Sequence, residues 1–125
     1  MGRKNKLKRF ADVASFPNVY EVDPAQESFL SNQEGVSRDL RGQWAPAHFQ
    51  NDHPIILELA CGKGDYTVAL AKDHPENNYI GVDIKGARIW KGARSALDTG
   101  MHNVAFLRTR IEFIDRFFAP GEVSA

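Results

Sequence analysis

The feature that most narrows the fold is the run Ile55-Ile56-Leu57-Glu58-Leu59-Ala60, which breaks into Gly62-Lys63-Gly64 and then into a helical pattern. An apolar run of this length that ends in glycines reads as a strand buried on both faces, as in a parallel sheet. Asp65 to Asp73 reads as a helix, with Tyr66, Ala69 and Leu70 on one face and His74-Pro75 as its stop. Tyr79-Ile80-Gly81-Val82-Asp83 is a second strand. Ile89, Trp90, Ala93, Ala96 and Leu97 form the apolar stripe of a second helix, closed by Gly100. Val104 to Thr109 gives a third strand, and Ile111, Phe113, Ile114, Phe117 and Phe118 suggest a third, aromatic-rich helix before Pro120-Gly121. This alternation specifies an α/β fold: a parallel sheet, right-handed crossovers, helices on both faces, and ligands beyond the carboxyl ends of the strands.

Residues 1–54 differ in texture. Pro17, Pro24, Pro46 and Pro54 punctuate polar sequence, with Phe10, Phe16, Val19, Tyr20, Phe29, Leu30, Leu40, Trp44 and Phe49 as spaced apolar anchors. This stretch is expected to be a basic, irregular extension laid over a core, with a short helix near residues 44–50. Residues 55–125 hold the strand–helix units. The chain is long enough for one core and too short for two.

Lys and Arg number 16 and so do Asp and Glu, but the balance is uneven along the chain. Residues 1–10 carry Arg3, Lys4, Lys6, Lys8 and Arg9 with no acid, leaving 11 basic against 16 acidic side chains in the rest. A basic arm on an acidic body either seeks phosphate, which counterion release rewards, or is a solvated terminus. The single cysteine, Cys61, excludes an intrachain disulfide and a cysteine-built metal cage, and the four histidines are scattered, so no metal is expected. No apolar run reaches membrane-spanning length and no signal-type core opens the chain, so no membrane partner is expected and a cytoplasmic location is.

The chemistry-bearing residues cluster at the strand ends. Gly62 and Gly64 follow the first strand directly, where glycine supplies positive φ and lets a ligand approach the backbone. A dinucleotide fingerprint needs a third glycine where Thr67 stands, so that reading loses a required feature. Glu58 interrupts the apolar strand, and a carboxylate there costs roughly several kcal/mol unless partnered. Either it meets the ammonium group of a zwitterionic ligand, or it orders the loop by accepting backbone N–H bonds; both can hold at once. Asp83 ends the second strand 21 residues beyond Gly62, near the spacing of about 20 at which an acid receives a ribose. Its other reading is a cap for the helix beginning near Gly86.

Leu57-Glu58-Leu59-Ala60-Cys61-Gly62-Lys63-Gly64, Gly81-Val82-Asp83-Ile84-Lys85-Gly86 and Asn103-Val104-Ala105-Phe106-Leu107-Arg108-Thr109 together resemble the class I S-adenosylmethionine-dependent methyltransferases, which have a Rossmann-like fold. Lys4-Asn5-Lys6-Leu7-Lys8-Arg9-Phe10, Phe16-Pro17-Asn18-Val19 and Ile84-Lys85-Gly86-Ala87-Arg88-Ile89-Trp90 narrow the resemblance to the bacterial tRNA (guanine-N7)-methyltransferases. The glycine and acidic motifs are specific to the superfamily only; the arm and Ile84–Trp90 carry the narrower match.

The resemblance implies a transferase that uses S-adenosyl-L-methionine to methylate tRNA, here as its amino-terminal, cofactor-binding portion. Glu58 would sit by the methionine moiety and Asp83 would hold the ribose hydroxyls, with Gly62, Gly64, Ile84, Arg110 and Ile111 completing the cofactor set. Arg110 falls where such enzymes often put an acid against the adenine amino group, and arginine cannot accept that bond. It could stack on adenine or meet RNA phosphate while backbone groups at Arg110 and Ile111 read the base edge, or it is a surface charge at a helix start. Lys63 and Lys85, with Arg88 and Lys91, are either a basic rim that joins Arg3, Lys4, Lys6, Lys8 and Arg9 in binding RNA, or ordinary solvated charge. Trp90 belongs to the core stripe rather than to a base-stacking platform. The pattern continues with a fourth strand, a Pro-Asp-Pro-like motif and a basic stretch, so the catalytic carboxylate is expected beyond Ala125. A missing fourth strand would leave Ile55–Ala60 as an exposed edge able to self-associate. The alternatives are another substrate on the same fold, or a non-enzymatic RNA-binding fragment.

Overall fold

Every residue of the strand Asn78–Asp83 is buried, which marks the centre of the sheet. The computed structural model describes residues 2–32 and 37–124; within its first helix, the side chains of residues 2–6 and 10 fall outside that description. The elements in chain order are α1 (Gly2–Ser15), β1 (Val19–Val22), β2 (Leu30–Ser31), a π-helical turn over Trp44–Phe49, β3 (Ile55–Leu59), α2 (Asp65–Asp73), β4 (Asn78–Asp83), α3 (Gly86–Asp98), β5 (Val104–Arg108) and a 3-10 segment over Ile111–Arg116. The strands form one sheet in the order β2-β1-β5-β4-β3. β3, β4 and β5 are parallel, with Glu58 opposite Gly81 and Asp83 opposite Arg108.

Alternate side chains of the central strands feed two cores, as the two-residue strand period requires. Ile80, Val82, Ala105 and Leu107 face Leu40, Trp44, Phe49, Phe117 and Phe118. Tyr79, Val104 and Phe106 face Ala71 of α2, Ile89, Ala93 and Ala96 of α3, and Val13 and Phe16 of α1. All three α-helices therefore cover one face. Both crossovers, β3-α2-β4 and β4-α3-β5, step the same way across the sheet, and a common handedness puts their helices together.

Three expectations are corrected. Residues 1–54 are not an irregular extension: α1 packs along α3, β1 joins the sheet parallel to β5, with Tyr20 opposite Leu107, and β2 adds an antiparallel edge. The basic run masks α1 because its tethers, Val13 and Phe16, lie at its far end and beyond. The face opposite the α-helices is covered by short helical turns rather than full helices, and the expected third helix is the 3-10 segment. Trp44 Nε1 donates to Phe117 O at 2.8 Å, while Glu122 accepts the N–H groups of Gly42 (2.6 Å), Trp44 (3.0 Å) and Ala119 (2.9 Å), so the two turns are sewn together without helix. On α2 the packed face is Thr67 and Ala71, with Leu70 half-buried, while Tyr66 is 61% exposed. The left-handed exit at Gly64 sets the helix phase, and two small residues four apart meet the sheet.

The short helix expected near residues 44–50 is the π-helical turn, and Gly100 closes α3 with φ 67°. β3 is an edge of the sheet: among the described residues no strand pairs with its outer side.

The direction of α1 matters for the site. Its carboxyl end leads into β1, which starts at the amino ends of the parallel strands, and α1 lies along α3, which descends from the carboxyl end of β4. The two helices run side by side in the same sense, so the first turns of α1 point toward the carboxyl ends of the strands.

Candidate functional site

The loop after β3 is built from left-handed residues at alternate positions: Ala60 (φ 56°), Gly62 (φ 58°) and Gly64 (φ 75°). Gly62 is there for conformation, since a Cβ on it would meet nothing within 4 Å. Gly64 is there for conformation and room, because its Cβ would lie 2.7 Å from Phe106 Cε1. Gly81 and Gly92 are held to glycine by the same ring, with virtual Cβ positions 2.9 Å from Phe106 atoms, and Gly92 also abuts Lys63 O at 2.8 Å. Phe106 is thus the block on which the loop, β4 and α3 converge. Sequence reasoning missed this trio; the available signal was a glycine inside a strand and another inside a helix stripe, each a mark of close approach.

Asp83 is 6% exposed and ties the site's two loops. Its Oδ2 accepts the Gly62 N–H and its Oδ1 the Lys85 N–H, each at 2.9 Å. It is not the N-cap of α3, a position Lys85 occupies. Glu58 behaves differently. Its Oε2 is buried and has no hydrogen-bond partner among the described residues. Loop ordering, one of the two roles open to Glu58, is carried by Asp83 instead. Between them lies Cys61, whose thiol is pushed up to about 12 by burial and then by the charges of Asp83 and Glu58. It stays protonated and inert.

A cleft of about 340 Å³ opens beyond the carboxyl ends of β3, β4 and β5, lined by Ala60, Asp83, Ile84, Thr109, Arg110, Ile111 and Glu112. It unites Asp83, Ile84, Arg110 and Ile111 from the expected set. Gly62 joins through its bond to Asp83, whereas Gly64 is packed beneath the loop and Glu58 does not line this cleft. Ile84 and Ile111 are 48% and 39% exposed, an unusual state for isoleucine that leaves two apolar walls at the opening. Ala60, Thr109 and Glu112 were missed. Glu112 pairs loosely with Arg110 at 3.6 Å and puts a carboxylate two residues past the position Arg110 occupies.

Residues 52–125 match the model of a family described as putative methyltransferases. The chain belongs to that family. Over 97% of its length it is 55% identical to the tRNA (guanine-N(7)-)-methyltransferase of Bacteroides fragilis, covering 46% of that protein. It is 52% identical to the enzyme of the same name from Christiangramia forsetii over 99% of its own length and 53% of the relative's. The chain thus spans about half the length of the curated relatives it matches. A solved structure described as an antibiotic related methyltransferase superposes with TM-score 0.52 at 20% identity, over 62% of this chain and 40% of that one, which shows the shared fold.

Around this methyltransferase-family cleft the basic residues divide into two kinds. Lys91 pairs with Asp65 at 3.5 Å. Lys63, Lys85 and Arg88 are exposed and make no ion pair among the described residues. On α1, Lys8 pairs with Asp12 at 3.2 Å and Arg9 lies over the Trp90 ring at 4.7 Å. The side chains of Arg3, Lys4 and Lys6 lie outside the described residues. Among those described, no group of three or more His, Cys, Asp or Glu could hold a metal ion, and no helix is long and apolar enough to cross a membrane.

Proposed function

We propose that this chain is the cofactor-binding portion of a tRNA (guanine-N7)-methyltransferase that takes its methyl group from S-adenosyl-L-methionine. The observation that carries the donor is the Glu58 carboxylate: a buried Oε2 with no partner among the described residues, one strand away from Asp83. Such an oxygen is costly unless a cation reaches it, and the ammonium of the methionine moiety has that charge. Asp83 has one lone pair committed on each oxygen, leaving others for the two ribose hydroxyls. Ile84 and Ile111 would cover the faces of the adenine, with Glu112 as an acceptor for its amino group and Arg110 stacked or turned to phosphate.

When bound, the sulfonium supplies an electrophilic methyl. Guanine N7 already has its lone pair, so the protein needs no base to expose it. What the residues here contribute is alignment and a fixed electrostatic frame; the substrate-facing carboxylate is expected beyond Ala125. The names of the relatives support tRNA as the acceptor, and a cytoplasmic site of action accords with that substrate. Lys63, Lys85 and the basic residues Arg3, Lys4, Lys6, Lys8 and Arg9 of α1 would take the phosphates.

Calorimetry with S-adenosyl-L-methionine tests the donor site. Saturable binding is expected, weakened by roughly tenfold or more in Asp83→Ala, which loses charge-assisted bonds of about 1.5–3 kcal/mol each. Binding indifferent to Asp83→Ala would remove the assignment. The acceptor is tested by incubating unmodified tRNA with a version of the protein that extends to the length of its relatives and mapping any methyl to guanine N7.

A further inference from the structure

Trp90 was expected in the core stripe of α3, yet it is only half-buried and its indole N–H donates to Asp12 Oδ2 at 3.0 Å. The same oxygen receives Lys8 Nζ at 3.2 Å, and the Arg9 guanidinium lies over the indole ring at 4.7 Å. Trp90 of α3 thus meets Arg9 and Asp12, and Lys8 joins them through Asp12. A second tether follows, Asn18 Nδ2 donating to Ala93 O at 3.1 Å. These bonds pull the Asp12 carboxyl below the usual carboxylate range, the Trp90 bond first and Lys8 next.

α1 needs such tethers. Its first turn has no acid, and it starts with a run of basic residues where the helix dipole is already positive, an arrangement that opposes helix formation. Fourteen residues are also marginal for a helix standing alone in water. Its place along α3 therefore depends on what it grips. α3 in turn begins three residues after Asp83, at the cleft, and it runs in the same sense as α1. The first turns of α1, bearing Arg3, Lys4 and Lys6, are thereby directed to the end of the sheet where Lys63, Lys85 and Arg88 are exposed and make no ion pair among the described residues.

We infer that Asp12 and Trp90 form a clasp that holds the basic helix beside the cleft in the position from which it meets RNA phosphate. Trp90 is then a positioning residue for RNA, acting through α1, and Asp12 is an acid retained on a basic helix because it is turned inward to the indole. This rests on tRNA being the substrate.

The sign of one substitution separates the clasp from simple charge. Removing an acid from a surface that attracts a polyanion should tighten RNA binding by charge alone, whereas breaking the clasp should weaken it. Binding of unmodified tRNA to the chain is measured by filter retention over a series of salt concentrations, beside calorimetry with S-adenosyl-L-methionine. For Asp12→Ala and for the charge-neutral Trp90→Phe, tRNA affinity is expected to fall roughly 3–10-fold, with cofactor affinity within about twofold of the parent. The salt slope should become shallower by about 1–2, because fewer phosphates are neutralised together. Asp12→Ala binding tRNA more tightly, or Trp90→Phe binding it with parental affinity and slope, overturns the clasp. A parent chain that binds the cofactor but no tRNA overturns the tRNA reading and the clasp with it. Should Asp12→Ala lose its fold by circular dichroism, Trp90→Phe, which keeps an aromatic ring and removes only the indole portion with its N–H donor, still decides.

Discussion

Gly62 and Gly64 both have left-handed φ and very different surroundings, so a methyl group added to each measures two separate costs. At Gly62, with φ 58° and open space around the virtual Cβ, Gly62→Ala meets only the left-handed penalty of an L-residue, about 1–2 kcal/mol. At Gly64 the same penalty applies at φ 75°, and the new carbon also lies 2.7 Å and 2.9 Å from Phe106 ring atoms and 3.3 Å from Gly92 Cα. The ring cannot step aside. Phe106 is fully buried, and the same ring already lies 2.9 Å from where Cβ groups on Gly81 and Gly92 would stand. Overpacking a core in this way costs about 1–3 kcal/mol more, for about 2–5 kcal/mol in all at Gly64. Urea unfolding followed by circular dichroism should therefore rank Gly64→Ala well below Gly62→Ala. Shrinking the ring supplies the control: in Phe106→Leu the added methyl has room, so the double variant Gly64→Ala/Phe106→Leu should be less destabilised than the sum of its parts by about 1–2 kcal/mol. Equal losses at the two glycines, or strict additivity with Phe106→Leu, would refute Phe106 as the block on which the loop is seated.

Two further outcomes follow from other parts of the molecule. His48 is held neutral, its pKa lowered from 6.5 to about 4 by burial and then by the charge of Arg38, with the Tyr20 hydroxyl 2.7 Å from its Nδ1. A folded pKa below the unfolded one gives stability that is complete above pH 6.5 and is lost as pH falls toward 4; the loss should be on the order of 2–3 kcal/mol, and His48→Gln should flatten that stretch of the unfolding-versus-pH curve. At the sheet edge, among the described residues only the first β3 carbonyl, Ile55 O, is taken by a backbone donor from outside the sheet, Ser124 N at 2.7 Å, and Leu59 is 44% exposed. Sedimentation at rising concentration should show self-association that Leu59→Lys suppresses; a monodisperse monomer with cooperative unfolding would count against pairing through that edge.

Strand and helix positions from Ile55 to Arg108 were legible because each signal is local: an apolar run closed by glycine, a stripe closed by Gly100. The residues of 1–54 were half legible. Phe16, Val19, Tyr20, Leu30, Leu40, Trp44 and Phe49 stand out as anchors and all are buried, but their partners are remote. β1 pairs with β5 across some 87 residues, as at Glu21 and Arg108, and no pattern within Val19–Val22 announces a parallel neighbour that distant. α1 was obscured for a related reason: its charge run looks like a solvated tail, and what makes it a docked helix is a hydrogen bond to Trp90, 78 residues on. In the site, the residues visible in advance were those with unusual chemistry for their place, Glu58 in a strand and Asp83 at a strand end. Phe106 is an ordinary apolar residue in an ordinary strand, and only the three glycines around it reveal its function.

Asp83 shows why two readings of one residue need not compete. As a sequence position it could have organised the loops or met a ligand. In the fold it holds the Gly62 and Lys85 N–H groups simultaneously, at 2.9 Å each, from a side chain 6% exposed. Those bonds already bear the desolvation cost and fix the direction of both oxygens before anything enters the cleft. On the proposed function, a ribose reaching the cleft would meet acceptors that need not reorganise, and that is where a preorganised carboxylate differs from a free one. Glu58 is the complementary case. Its buried Oε2 has no hydrogen-bond partner among the described residues, which is the opening the proposed ammonium contact would fill. Asp83 is satisfied within the fold, whereas Glu58 keeps a buried oxygen without a hydrogen-bond partner among the described residues. Asp83→Asn should therefore disturb the loops as well as the ligand, whereas Glu58→Gln, which removes the charge of a half-buried carboxylate with one orphaned oxygen, should leave the free chain as stable or more so while weakening cofactor binding.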